Sequence, residues 1–194
     1  MDSVSVSNRA EKNTVTTVIY RVGFCVLFAL LIAAGAWIRI PLPWTPVPLT
    51  LQTFFVLLGA ALGGPGLGAG AALLYTVMGA AGLPFFAGGA SGFGVLIGPT
   101  GGYIVGFIAA ALAAGSILSK PEKVGPLKLY GALFLGSLII YACGILILSV
   151  FFPGGKPVQL MLMGVLPFLP GDLLKIFAAG IIYRALSKKL KSLI

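Results

Sequence analysis

An aspartate and a lysine stand three residues apart, Asp172 and Lys175, in a stretch from Val165 to Lys175 that is otherwise apolar. Asp172 is the only acidic residue after Glu122, and Lys175 is the only base well inside a hydrophobic segment. Residues three apart on a helix are neighbours, so three chemistries are open to the pair. Asp172 can accept N–H donors of a ligand while Lys175 meets a carboxylate or a carbonyl oxygen. Asp172 can instead cap the last helix, with Pro170 and Gly171 turning the chain into it, and simply pair with Lys175. A proton relay is the third, but the chain has no histidine and no second acid nearby. A charge in a membrane core costs roughly 2.5–3.5 kcal/mol on insertion scales, which marks it as functional by default. Serine or asparagine would cap without that cost. Ligand recognition is the preferred reading.

The elements that position this pair are membrane helices. The chain has 194 residues, 59% of them hydrophobic and 9% charged, with no charged side chain from Ile40 to Ser119. A soluble domain is about a quarter charged, and a bilayer crossing needs about 20 apolar residues. The chain is therefore read as an all-α integral membrane protein. Its 28 glycines fall within the apolar runs, where small residues let helices approach closely; a compact bundle follows. The net charge of +9 points to no nucleic acid, because the bases cluster at helix ends as topology signals. Cys25 and Cys143 lie in expected spans without metal-ligand spacing, so neither a disulfide framework nor a metal site is implied.

In order, the sequence predicts a polar cytoplasmic tail over residues 1–17 and a six-helix transmembrane domain over 18–194. The first span, about 18–38, carries Ala29 and Ala33 on one face, a small-residue surface for packing in the bundle or for docking a partner membrane subunit. Arg39 opens a stiff loop with prolines at 41, 43, 46 and 48, in which Trp44 serves as interfacial anchor or ligand wall. The second span, about 49–62, begins with Thr50, Gln52 and Thr53. A tight turn at 63–66 leads to a third over about 67–81. Residues 83–100 are Gly-rich and uncharged, and such backbone is tolerated at membrane depth only inside protein or along a cavity. Phe85, Phe86 and Phe93 are its apolar wall candidates. The fourth span, about 101–118, opens near Tyr103, and the fifth, about 129–151, contains Tyr141. A short helical or re-entrant piece over 157–169 precedes the sixth, about 171–186.

With six crossings, ten bases flank one side and two, Arg39 and Lys156, the other, which places both termini in the cytoplasm. Asp172 lies 16 residues before Lys188, about 24 Å at 1.5 Å per residue, toward the outer face of a core about 30 Å thick. The proline loop and the 83–100 segment map to the same side. Three unusual segments thus converge on a pocket that opens outward.

Four ordered motifs carry a resemblance: residues 40–53 (IPLPWTPVPLTLQT), 82–89 (GLPFFAGG), 98–103 (GPTGGY) and 166–175 (LPFLPGDLLK). In these the chain resembles the BioY family, the biotin-specific substrate-binding (S) components of energy-coupling factor vitamin transporters. The resemblance implies a six-helix protein, not an enzyme, that binds biotin near the outer face of a bacterial or archaeal plasma membrane. It also implies a transmembrane coupling subunit and two cytoplasmic ATPase subunits as partners, with no cofactor on this chain. Asp172 and Lys175 would meet biotin's polar groups, with Tyr103, Gly89 and neighbouring glycines lining the pocket. Ser91 stands where some members carry an amide. Phe86, Phe93, Trp44, Gln52, Tyr141 and Arg39 complete the candidate site. Ala29 and Ala33 would dock the coupling subunit, so bulky replacements there should impair assembly and spare binding. The rival readings are an S component for another vitamin, an intramembrane enzyme using Asp172, and a structural scaffold.

Overall fold

The computed structural model describes residues 2–119 and 124–190. Its order is α1 (Asp2–Trp37), a two-residue ribbon of β1 (Arg39–Ile40) and β2 (Leu49–Thr50), α2 (Gln52–Ala80), a 3₁₀ turn (Ala87–Gly89), α3 (Phe93–Leu96), α4 (Gly101–Leu118), α5 (Pro126–Phe151), α6 (Pro157–Gly164) and α7 (Leu169–Leu190). Four of these helices contain stretches long and apolar enough to cross a membrane: Val15–Trp37, Gln52–Ala80, Gly101–Leu118 and Pro126–Phe151. The bent pair α6–α7, angled by 48°, makes a fifth if taken as one span. The polar residues 2–17, expected as a tail, are helical and run into the first span as part of α1. No glycine or proline interrupts the chain before Gly23, so nothing in it stops the helix.

The second of these spans is not one rod. Gly64 sits at φ 72, ψ −172, a backbone state open essentially only to glycine, and Pro65 follows it as the first residue of the next helical segment, where its missing N–H costs nothing. The chain reverses there. A side-chain carbon at Gly68 would lie 2.6 Å from the Ala60 Cα, and Gln52 hydrogen-bonds Tyr75. Eight and 23 residues along a straight helix would separate those pairs by about 12 and 35 Å. α2 is thus an antiparallel helical hairpin, which matches the turn expected at 63–66.

Two apolar clusters fill the bundle. One surrounds the site and joins Val56, Ala60, Ala72, Tyr75, Phe107 and Ile140. The other joins Phe28, Leu57, Leu118, Leu133, Ile176 and Tyr183. Lipid provides no hydrophobic drive between helices, so cohesion comes from close contact of small faces.

That principle corrects the role expected for Ala29 and Ala33. They are 1% and 6% exposed and pack in the cluster with Val56, Ala60 and Ala69. Their face is used within the bundle, while Val26, Leu27 and Leu30 point outward. Ala33→Leu therefore acts by overpacking and lowers stability by about 1–3 kcal/mol, read as a lower unfolding midpoint of the isolated protein in detergent.

Candidate functional site

Asp172 lies in the first turn of α7, where the helix N-terminus favours a negative charge. The turn exists because Pro167 and Pro170 deny the chain the N–H groups a continuous helix would need; α6 ends at Gly164 and α7 starts at Leu169. The Asp172 carboxylate is 5% exposed and is held by groups from three helices. The Lys175 Nζ donates to Oδ1 at 2.6 Å, the Thr53 hydroxyl donates to the same oxygen at 3.2 Å, and the Tyr141 hydroxyl donates to Oδ2 at 2.5 Å. Lys175 also donates to the Thr53 oxygen at 3.2 Å. Charge-assisted bonds this short are the strong kind, and a buried pair needs such partners to offset its desolvation. The pair is thus electrically balanced, with at least one Lys175 proton and one Asp172 lone pair left for a ligand.

The network forms one wall of a cavity of about 420 Å³, within the range of small-molecule sites. Its apolar part comes from Phe86, Ile104, Phe107, Ile140 and Phe168. Tyr75 meets Phe86 edge-on at 5.7 Å and lies 6.3 Å from Phe107, a geometry aromatic rings favour. Exposed Arg39, Pro46, Ala90 and Gly94 also line it and mark the mouth. The proline loop is pinned there by the Thr45 hydroxyl donating to the Met163 carbonyl at 2.8 Å, and the Trp37 indole N–H donates to the Pro84 carbonyl at 3.1 Å. Ribbon, 83–100 segment and α7 start therefore converge as the sequence suggested.

Of the expected site residues, Asp172, Lys175, Tyr103, Phe86, Gln52, Tyr141 and Arg39 line this cavity. Tyr103 contributes its ring, but its hydroxyl is spent on the Gly164 carbonyl at 2.9 Å, tying α4 to α6. Four expectations are corrected. Trp44 is 58% exposed and borders a separate shallow hollow with Phe152, Leu162 and Pro167, because the proline loop turns it away. Phe93 is 65% exposed and lies on the outer side of the short α3. Ser91 is exposed and outside the cavity wall. Gly89 packs toward the Trp37 ring rather than the cavity. Thr53, Tyr75, Phe107 and Phe168 were missed as site residues. The polar trio at the start of the second span signals Thr53, but its partner Asp172 lies 119 residues away. Among the described residues no cluster of metal-ligating side chains occurs.

Apolar helices of bilayer length, folded around an aromatic cavity with a buried ion pair in its wall, define a multi-pass membrane protein that holds a small molecule. The BioY family model matches residues 8–192. A protein named biotin transporter BioY from Thermotoga maritima is 41% identical over 162 residues, 84% of this chain and 92% of that one. A probable biotin transporter BioY from Pyrococcus horikoshii is 39% identical over 83% of this chain and 92% of its own length. The fold also matches a crystal structure of the S-component for biotin from an ECF-type ABC transporter, with TM-score 0.76 and 25% identity over 89% of this chain and 93% of that one. The chain belongs to the BioY family.

Proposed function

We propose that the chain is the biotin-capturing S component of an ECF-type vitamin uptake transporter, a transport subunit and not an enzyme. The observation that carries this reading is an acceptor and a donor side by side, the Asp172 carboxylate and the Lys175 ammonium paired at 2.6 Å, in the wall of a mainly apolar cavity. Biotin's ureido group sets N–H donors beside a carbonyl oxygen. A carboxylate and an ammonium side by side match that pattern, Asp172 taking an N–H and Lys175 the oxygen, while the aromatic wall takes the fused rings. The distribution of basic residues along the chain supports six crossings, with the arms of α2 counted separately and α6–α7 as one. Both termini then lie in the cytoplasm and the cavity mouth opens outward in a bacterial or archaeal plasma membrane. The chain carries no nucleotide-binding motif, so ATP is hydrolysed by two partner subunits acting through a transmembrane coupling subunit, and no resident cofactor is required. Co-expression with such a coupling module in a biotin-requiring host that lacks its own biotin uptake should restore growth at limiting biotin. Restored uptake of thiamine or riboflavin instead would replace biotin with another vitamin.

A further inference from the structure

A second hollow, apart from the ligand cavity, opens beside α6 with a volume of about 880 Å³. Its walls are Trp44 of the proline loop, Phe152 just past α5, and Leu160, Leu162, Met163 and Leu166 on and after α6. Trp44, Phe152, Leu162 and Leu166 are exposed, so the chain's own side chains do not close over this apolar lining. The polar groups beside it are donors. Gln159 lines the hollow, and its Oε1 already accepts the Lys156 backbone N–H at 3.1 Å; its NH2 has no acceptor among the described residues. Lys156 stands between Gly155 and Gln159, both in the lining, and is itself exposed. Among the described residues it makes no ion pair.

No acid of the chain is placed to answer Lys156. The chain has four, Asp2, Glu11, Glu122 and Asp172. Asp2 and Glu11 precede the first span, and the proline loop follows it. Glu122 comes before α5 and Lys156 after it, and the 26 residues of α5 are about 39 Å long. Asp172 is buried and already paired with Lys175. An apolar concavity with a cation and amide donors at its rim is complementary to an amphiphile with a long chain and an anionic head. We propose that this hollow is a site for an anionic phospholipid, its acyl chain against Leu160, Leu162 and Leu166 and its phosphate at Lys156, with Gln159 and Trp44 donating to the headgroup. Lysine and tryptophan at the ends of membrane helices sit at headgroup level, and basic pockets between such helices bind lipid heads. A partner helix would have to bring an acid as well as an apolar face; a phospholipid carries both. The site goes beyond the biotin reading and stands whichever small molecule the cavity takes. It also touches the cavity mouth: the Met163 carbonyl accepts the Thr45 hydroxyl at 2.8 Å, so a bound lipid backs the loop that lines it.

The chain has two tryptophans, Trp37 and Trp44, so a lipid with brominated acyl chains, which quench indole fluorescence on contact, reports on the hollow. The test titrates the purified full chain in detergent with brominated phosphatidylglycerol and, separately, with brominated phosphatidylcholine. Wild-type protein should show saturable quenching, about fivefold tighter for the anionic lipid, the attraction of one lysine for a negative headgroup. Trp44→Phe should lose the headgroup-dependent part of the signal, which assigns it to the hollow and not to Trp37. Lys156→Gln changes an exposed side chain, so it should fold and should bind the two lipids equally. Leu162→Asn removes part of the apolar wall and should weaken both. Quenching that does not saturate, equal affinity for the two lipids in the wild type, or a preference that survives Lys156→Gln would overturn the site. Absence of quenching in a chain that runs as a dimer on size exclusion would assign the hollow to a second copy and overturn it equally.

Discussion

Asp172→Asn is expected to weaken biotin binding by about 30-fold or more, the scale of breaking a buried, hydrogen-bonded charge pair (about 2–5 kcal/mol). The substitution keeps the shape of the side chain and removes its charge. Only one of the two oxygens survives, so either Thr53, which donates to Oδ1, or Tyr141, which donates to Oδ2, then faces an amide NH2, and the partly buried Lys175 ammonium, 2.6 Å away, is left without a counter-charge. Two effects are then superimposed, a lost ligand acceptor and a destabilised bundle, since an unpaired buried charge costs about 3–5 kcal/mol. The double variant Asp172→Asn/Lys175→Met separates them. Removing both charges should recover much of the stability, because apolar replacement of a buried pair is often neutral, yet binding should stay lost. Recovery of binding along with stability would mean that the pair serves the fold and not the ligand. The readouts are a titration with biotin and the thermal midpoint in the same detergent.

Gly68→Leu is expected to be the most damaging substitution away from the cavity. The two arms of α2 approach so closely at this point that even a methyl group would lie 2.6 Å from the Ala60 Cα. The obstacle is backbone, which cannot rotate aside. Overpacking of this kind costs about 1–3 kcal/mol and sometimes more. The consequence reaches the site, because the hairpin is what brings Gln52 beside Tyr75. The variant should therefore show both a lower unfolding midpoint and weaker biotin binding. Gly66→Leu offers the comparison, since open space surrounds that position, and it should leave both nearly unchanged.

The membrane class, the helical turn at 63–66, the break between α6 and α7, and the Asp172–Lys175 pair were legible because each rests on local chemistry: hydropathy, glycine and proline, and i, i+3 spacing. Two charges in an apolar run announce themselves. What was not legible is which way side chains face once a segment is irregular. Trp44 and Phe93 are aromatic and lie in the right loops, yet both turn outward. Tyr75 sits in an ordinary apolar span, and only the reversal at Gly64 places it at the cavity. Ala29 and Ala33 show the same limit on a regular helix. Their spacing makes a close-packing face, but whether a neighbouring helix or another subunit fills it depends on the tertiary arrangement, and here α2 does. The resemblance in the four motifs identified the family without orienting these residues.

The central claim, that this cavity holds biotin, is tested most directly by calorimetric titration of the purified chain with biotin, alongside thiamine and riboflavin. The account predicts saturable binding of one biotin per chain and none of the other two, with the biotin signal lost in Asp172→Asn/Lys175→Met. No saturable binding of biotin by the folded protein, or equal binding by that double variant, would contradict it.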